Sequence, residues 1–443
     1  MRCRVFIVFV LAVVLSSTSV HASGSIVEVS YPPSLKAGEL AFGVTYRVWI
    51  PDGVKVLRGV IVHQHGCGKG ACQGGETAAD DLHWQALAKK WDCALLGPSF
   101  QQEDGQNCRL WCDPRNGSRA RFLQALDDLA AKAHHPEIAK APWCLWGHSG
   151  GGFWASLMLA SDPERIAAVW LRSGTAITAW EKGEIPKPDF AAASYEIPVV
   201  CNPGVKERDD QRFNTAWNGG MSMFRQFRAK GSPIAFAPDP KTGHECGESR
   251  DLAIPFFDAC LALRLPAKSS SDPTKLRMID TSRGWFSKVE STRAESAETF
   301  KGETVTANWL PSEAVAKAWE QYVKNGTVGD ATPPVAPFEI KASKGSDSSI
   351  VLTWDASADL ESGLQSFIIE RDGREIGRVP EKNVPRFGRP LFQGMSYHDT
   401  PIKPLAAMRF EDKSPSKTSA SYRVIAVNGA GVASVPSDSV KVQ

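Results

Sequence analysis

The sequence predicts a chain in two parts: an α/β region built on a mostly parallel sheet with helices on both faces, then an all-β sandwich. Three observations carry this. Between residues 41 and 237 short apolar runs alternate with amphipathic helical segments, the pattern of a sheet covered on both faces. Beyond residue 337 the alternation is strand-like and no helical period competes. Between the two lies Asp330-Ala331-Thr332-Pro333-Pro334-Val335-Ala336-Pro337, a stiff, proline-rich linker spanning residues 330–337. A length of 443 residues calls for two or three domains. With 42% hydrophobic and 23% charged residues, the composition is that of a protein with real cores.

Residues 1–22 have the pattern of a secretory signal: Arg2 and Arg4, an apolar stretch from Val5 to Leu15, and a small-residue cleavage site ending at Ala22. That stretch is too short to span a bilayer, and no later segment is apolar for long enough. Secreted or periplasmic placement is expected. The chain has 51 basic residues, and without Arg2 and Arg4 they balance the 49 acidic ones. A net charge near zero argues against nucleic-acid partners. Of the ten cysteines, Cys3 falls in the leader and the rest lie between Cys67 and Cys260. An odd remainder leaves at least one thiol free or linked to another chain. Export makes disulfides plausible, and one or two are expected among Cys67, Cys72, Cys108 and Cys112. Their spacings do not suit a structural zinc site. The oligomeric state is not legible.

In chain order, residues 41–50 read as a strand closed by the turn Pro51-Asp52-Gly53. Residues 60–65 form the next, ending at Gly66-Cys67-Gly68. A helix is expected over 76–91, a strand over 94–97, then a polar, cysteine-bearing loop to about Asn116. Residues 118–133 make an amphipathic helix with Phe122, Leu126 and Leu129 on one face. Trp143-Cys144-Leu145-Trp146 is a strand and residues 153–160 a helix. Strands follow at 166–171, 197–200 and 234–237. Residues 267–329 read as an extension with one helix near 311–324, opened by Pro311 at its first position. In the last part, 349–354, 367–370 and 421–427 are strands, and Asp372-Gly373 is a hairpin signal.

The central motif is Trp146-Gly147-His148-Ser149-Gly150-Gly151-Gly152. Gly-x-Ser-x-Gly between a strand and a helix forces the serine into a strained turn and lifts its hydroxyl above the sheet edge. A serine hydroxyl needs a base within reach, and the base needs an orienting acid. His244, in Thr242-Gly243-His244 after the last strand, is the candidate base. The candidate acid is Glu207, with Asp209 and Asp210 as alternatives. Backbone N–H groups of Gly150 and Cys67, with Gly68 as fallback, are candidates for stabilising an oxyanion. His63 and His65 fit alternating strand positions better than a metal site. No metal or cofactor is expected. Trp146, Trp154, Trp170, Trp180 and Trp217 line the cleft on one reading and form core on the other.

Residues 40–265 resemble the α/β-hydrolase superfamily, in the order Ser149, Glu207, His244 and in the His65-Gly66-Cys67-Gly68 loop. The catalytic domain is then residues 23–266. The closest flavour is the secreted esterase and polyester-depolymerase type. The resemblance implies an eight-stranded, mostly parallel sheet and hydrolysis of carboxylic esters, polymeric ones included, through an acyl-enzyme without cofactors. Two departures stand out: a glutamate in place of the commoner aspartate, and only residues 172–196 where a long cap would lie. Residues 338–443 resemble a fibronectin type III domain in Pro334 and Pro337, Trp354, Tyr422, Asn428-Gly429 and Ser434, although residues 380–415 exceed that family's usual loops. The linker is expected to separate two independent cores, leaving residues 331–443 dispensable for small esters. Two other readings are a serine peptidase on the same fold and a binding or adhesion protein without turnover.

Overall fold

The computed structural model describes residues 24–268, 274–382, 391–404, 408–416 and 418–442. The expected leader, residues 1–22, lies outside them. Eight strands make one sheet: β1 (Gly24–Tyr31), β2 (Val44–Pro51), β3 (Gly59–Gln64), β4 (Cys93–Phe100), β5 (Trp143–His148), β6 (Ile166–Arg172), β7 (Val199–Asn202) and β8 (Ile234–Phe236). Their order is β1-β2-β4-β3-β5-β6-β7-β8. β1 pairs antiparallel with β2, and β2 with β4; every later pairing is parallel. The sheet is thus mostly parallel, as expected. Its central strands are buried on both faces, which explains their unbroken apolar runs. β1 adds an edge strand that the sequence reading omits; its residues are half-buried or exposed.

Two cores cover the two faces. One holds Val62, Phe122, Leu126, Trp143, Trp154 and Phe224. The other holds Ile61, Trp84, Trp146, Trp170, Phe257 and Trp319. The expected helix at 118–133 runs Ser118–Ala133. The one expected at 76–91 divides into a 3-10 segment, Gly75–Asp80, and a helix, Leu82–Lys90. Asp81 causes the break: its carboxylate accepts from the N–H groups of His83 at 2.9 Å and Trp84 at 3.1 Å, an N-cap. The helix expected from Pro311 runs Glu313–Asn325, capped by the Ser312 hydroxyl, so Pro311 lies outside it. That helix packs on the helix Arg250–Arg264 and supplies Val315, Trp319 and Tyr322 to the second core. The extension therefore completes one face of the sheet.

Residues 338–442 form two antiparallel sheets. One has Ile350–Asp355 between Phe338–Lys344 and Arg409–Asp412. The other runs Arg374–Val379, Leu364–Arg371, Ala420–Asn428 and Val440–Val442. The two share a core of Leu352, Trp354, Phe367, Ile369, Tyr422 and Val424. The sharp turn at Asp372-Gly373 joins Leu364–Arg371 to Arg374–Val379, with φ of 50° and 74°. No helix among the described residues is long and apolar enough to cross a membrane.

The sandwich has a core of its own, but polar contacts join it to the α/β part. Gln393 and residues 397–400 leave the sandwich and lie against the α/β part. The buried Arg250 guanidinium sits between two carboxylates, with Nη2 2.7 Å from Asp81 and Nε 2.7 Å from Asp399. Thr400 Oγ1 meets His65 Nε2 and Thr77 Oγ1, each at 3.0 Å. Gln393 accepts from Leu82 N–H at 2.8 Å and donates to the Asp80 carbonyl at 2.6 Å. The Leu82 side chain belongs to the sandwich core. The linker itself is pinned: Asp330 Oδ2 accepts from Asn428 at 2.8 Å. These partners stand far apart in sequence, so no local pattern announces them. Removing Arg250 would strand two buried carboxylates. Arg250→Met should lower stability by roughly 3–5 kcal/mol in urea titration, and Asp399→Asn by less, because Asp81 still neutralises the guanidinium.

Candidate active site

β5 ends at His148, and the chain turns at Ser149 into the helix Gly150–Ser161. Ser149 has φ 53° and ψ −113°, a conformation L-residues avoid. The turn closes only because Gly147 has no side chain: a Cβ there would overlap the Gly151 carbonyl. The hydroxyl of Ser149 lies 2.9 Å from His244 Nε2. His244 Nδ1 lies 2.5 Å from Glu207 Oε1. Glu207 is fully buried, and its other oxygen accepts from Gly204 N–H at 3.1 Å. A Cβ at Gly204 would overlap the Gly243 carbonyl, so this glycine lets the loops of Glu207 and His244 touch.

The structure thus brings together Ser149, His244 and Glu207. The alternative acids stand apart. Asp209 and Asp210 are exposed, and Asp210 accepts from Arg212 N–H at 2.7 Å and Phe213 N–H at 2.9 Å, ordering the turn that follows it. Cys67 and Gly150 both line the cleft beside Ser149. Among the described residues neither of their N–H groups has a hydrogen-bond partner, whereas Gly68 N–H donates to Gln102 at 3.4 Å.

The cleft has a volume of about 330 Å³. Cys67, Cys108, Phe153, Thr175, Phe213 and His244 line it, with Arg109 and Glu184 paired at the rim. None of the five tryptophans does. Trp146, Trp154, Trp170 and Trp180 are buried in the cores, and the half-buried Trp217 packs edge-on against Phe236. Of the two phenylalanine rings in the lining, Phe153 and Phe213, the Phe213 ring stacks on His244 with centroids 3.9 Å apart.

One disulfide joins Cys67 to Cys108 and ties the Cys67 loop to the opposite wall. Cys72 and Cys112 stay reduced and buried, and burial pushes the Cys72 thiol up to about 12. The sulfurs of Cys67, Cys108 and Cys112 cluster within 4.8 Å. With two of them bonded to each other, the set does not fit a four-thiolate zinc site. His63 stacks on Trp146 at 3.8 Å, and both His65 nitrogens are engaged, by Ala71 O at 2.8 Å and by Thr400.

Sequence reasoning missed the residues that hold the His244 loop. Arg172, fully buried, donates to Asn202 O at 3.1 Å, Thr242 Oγ1 at 2.7 Å and Gly243 O at 3.3 Å, and also to Glu245 O. Asp239 lies 3.9 Å from Arg172 and takes a hydrogen bond from Tyr322 of the extension at 3.0 Å. His148 Nε2 lies 2.6 Å from the His244 carbonyl, and its Nδ1 lies 2.6 Å from His398 Nδ1. A serine-flanking histidine is a visible signal for His148, while nothing local points to Arg172 or His398.

No known family's model matches this sequence, and a search of curated proteins finds no match. Among solved structures the chain is similar to dienelactone hydrolase from Anabaena variabilis, at 18% identity and TM-score 0.33 over 50% of this chain and 88% of that one. It is similar to acetyl xylan esterase from Aspergillus awamori, at 13% identity and TM-score 0.34 over 50% and 94%. It is also similar to titin domains A168-A170, at 25% identity and TM-score 0.18 over 25% and 32%.

Burial lowers the proton affinity of His63, His65, His148 and His398, the last to about 3 against an ordinary 6.5. The unfolded chain binds protons at these rings from about pH 6.5 downward and the folded chain does not. Their neutral burial is therefore fully tolerated above pH 6.5 and destabilises progressively as pH falls toward 3. His398 alone should remove on the order of 2 kcal/mol between pH 7 and 5. Urea midpoints measured at pH 7, 6 and 5 should fall accordingly.

Proposed function

We propose that the chain is an exported serine hydrolase that cleaves carboxylic esters, polymeric ones included, through an acyl-enzyme. The observation that carries this is the Ser149 hydroxyl 2.9 Å from His244 Nε2, with Glu207 on the far nitrogen. In this reading His244 takes the Ser149 proton as the oxygen attacks the ester carbonyl. Glu207 holds the ring's tautomer and stabilises the imidazolium. The N–H groups of Gly150 and Cys67 donate hydrogen bonds to the developing oxyanion, each worth about 3 kcal/mol. His244 then protonates the leaving alcohol, and water admitted from the cleft repeats the cycle on the acyl-serine. The Cys67–Cys108 bond stiffens the loop that supplies one oxyanion donor and supports an oxidising compartment. The exposed cleft rim suits a bulky acyl or alcohol group. The sandwich is read as a fibronectin type III-like domain, on Trp354 and Tyr422 in its core.

A fluorophosphonate probe should label the protein once, and Ser149→Ala should abolish labelling; an unlabelled wild type would favour the binding-protein reading. Turnover of acetyl, feruloyl and hydroxyalkanoate esters but not peptides separates esterase from peptidase. His244→Ala should lower kcat by about 10⁴-fold or more and Glu207→Gln by about 10²–10⁴-fold. Asp210→Ala should stay within about threefold of wild type, since its carboxylate is engaged away from the imidazole.

A further inference from the structure

We propose that the C-terminal sandwich is a working part of the active site, with His398 as a positioning residue that holds the His244 loop through His148. The proposal rests on the reading of His244 as the general base. Its foundation is geometric. The His244 carbonyl and the Cys246 N–H, both just after the imidazole in sequence, are each bound by a group from elsewhere in the chain. His148 Nε2 sits 2.6 Å from the carbonyl, and Cys246 N–H donates to the Tyr397 carbonyl at 3.2 Å.

A carbonyl can only accept, so His148 carries its proton on Nε2. Its Nδ1 is then a bare acceptor, 2.6 Å from His398 Nδ1, which must carry a proton and donate. The tautomers form one directed chain, from His398 through His148 to the backbone of His244. A hydrophobic residue at 398 would leave the buried His148 Nδ1 without a donor, and His148 could lower its energy only by changing tautomer and releasing the His244 carbonyl.

His398 is itself rigidly placed. The Ser396 hydroxyl accepts from His398 N–H at 3.1 Å, and Ser396 N–H donates to Thr400 O at 2.7 Å. The next residue, Asp399, is locked to Arg250. The rings facing the pair are His65 at 5.1 Å from His398, His244 at 5.1 Å from His148, and Tyr397, with His63 further in. Fixed charges in the surroundings are paired, Arg172 with Asp239 and Asp399 with Arg250, and Glu207 sits on His244. Burial keeps both imidazoles of the pair neutral at physiological pH, as the tautomer chain requires. A displacement of about 1 Å in a catalytic group is enough to lower a rate about a hundredfold.

The test uses full-length protein and a small soluble ester such as p-nitrophenyl acetate, which needs no contact with the sandwich surface. His398→Leu should lower kcat about ten- to a hundredfold with KM within about twofold, while fluorophosphonate titration still counts one site. His398→Asn places an N–H donor where Nδ1 was and should restore kcat to within about threefold of wild type. A His398→Leu enzyme with wild-type kcat would overturn the proposal. So would equal losses in both variants that track a fall in melting temperature. Imidazole ¹⁵N spectra read the tautomers whether or not the protein turns over ester. Wild type should show His148 protonated at Nε2 alone and His398→Leu a mixture. A mixed His148 in wild type would overturn the proposal. A wild type with the single tautomer but no labelling at Ser149 would overturn the assignment of His244 as base and leave the directed chain standing.

Discussion

The loop that carries His244 has no ladder to hold it. Residues 238–246 are irregular and, Lys241 apart, buried or half-buried, and each buried acceptor must find a donor. Backbone N–H groups of Val205, Lys206 and Ser249 answer part of that need, and Arg172 and His148 answer another part. The Arg172 guanidinium reaches Thr242, Gly243 and Glu245 from the end of β6, and His148 reaches the carbonyl of His244 from the end of β5. Adjacent parallel strands thus supply these side-chain donors, and the sheet register becomes the register of the imidazole. The distance from Nε2 to the Ser149 hydroxyl is set by side chains that never approach the cleft.

Such a support is expensive in charge. A buried guanidinium loses its hydration, and it is tolerated only where acceptors and counter-charge surround it. Asp239 provides the counter-charge at 3.9 Å, and Tyr322 fixes Asp239 from the far side. Tyr322 stands on the helix Glu313–Asn325, in the segment after the strands end. The same logic recurs at the second interface, where Arg250 joins Asp81, Asp399 and the sandwich. Each later segment of the chain brings a polar group to a buried charge left by an earlier one. The three parts therefore behave as one polar interior, and the extension also shares an apolar core with the sheet.

Much of this was legible in the sequence, and the division between what was and was not has a physical basis. Strands β2 to β8 were readable because each is a short apolar run closed by a turn, a local signal; the half-exposed edge strand β1 was not. The meeting of Ser149, Glu207 and His244 followed from position after successive strands, because a parallel sheet gathers its carboxyl ends along one edge. Asp81 broke a helical period that its hydrophobic pattern suggested, since a capping carboxylate outweighs periodicity at a helix start. Ser312 displaced Pro311 for the same reason. The tryptophans were ambiguous because a large aromatic ring is equally at home in a core and on a cleft wall. Residues 397–400 were opaque. Their role lies in single polar contacts to Arg250, His65 and His148, and a polar residue in an irregular loop looks the same whether it faces water or a buried partner.

The cluster of histidines behind Ser149 then has an electrostatic sense within the proposed mechanism. When His244 takes the serine proton, a positive charge appears on a ring with one anionic partner, Glu207. A second cation nearby would oppose that charge and raise the barrier, because interactions between charges are strong where water is excluded. His148 is in ring contact with His244, and His398 and His65 lie just beyond it. These rings can donate and accept hydrogen bonds without carrying charge only while they stay neutral. Lysine or arginine in their places would bring a fixed charge. Burial, which makes them poor bases, is what allows them to position a good one.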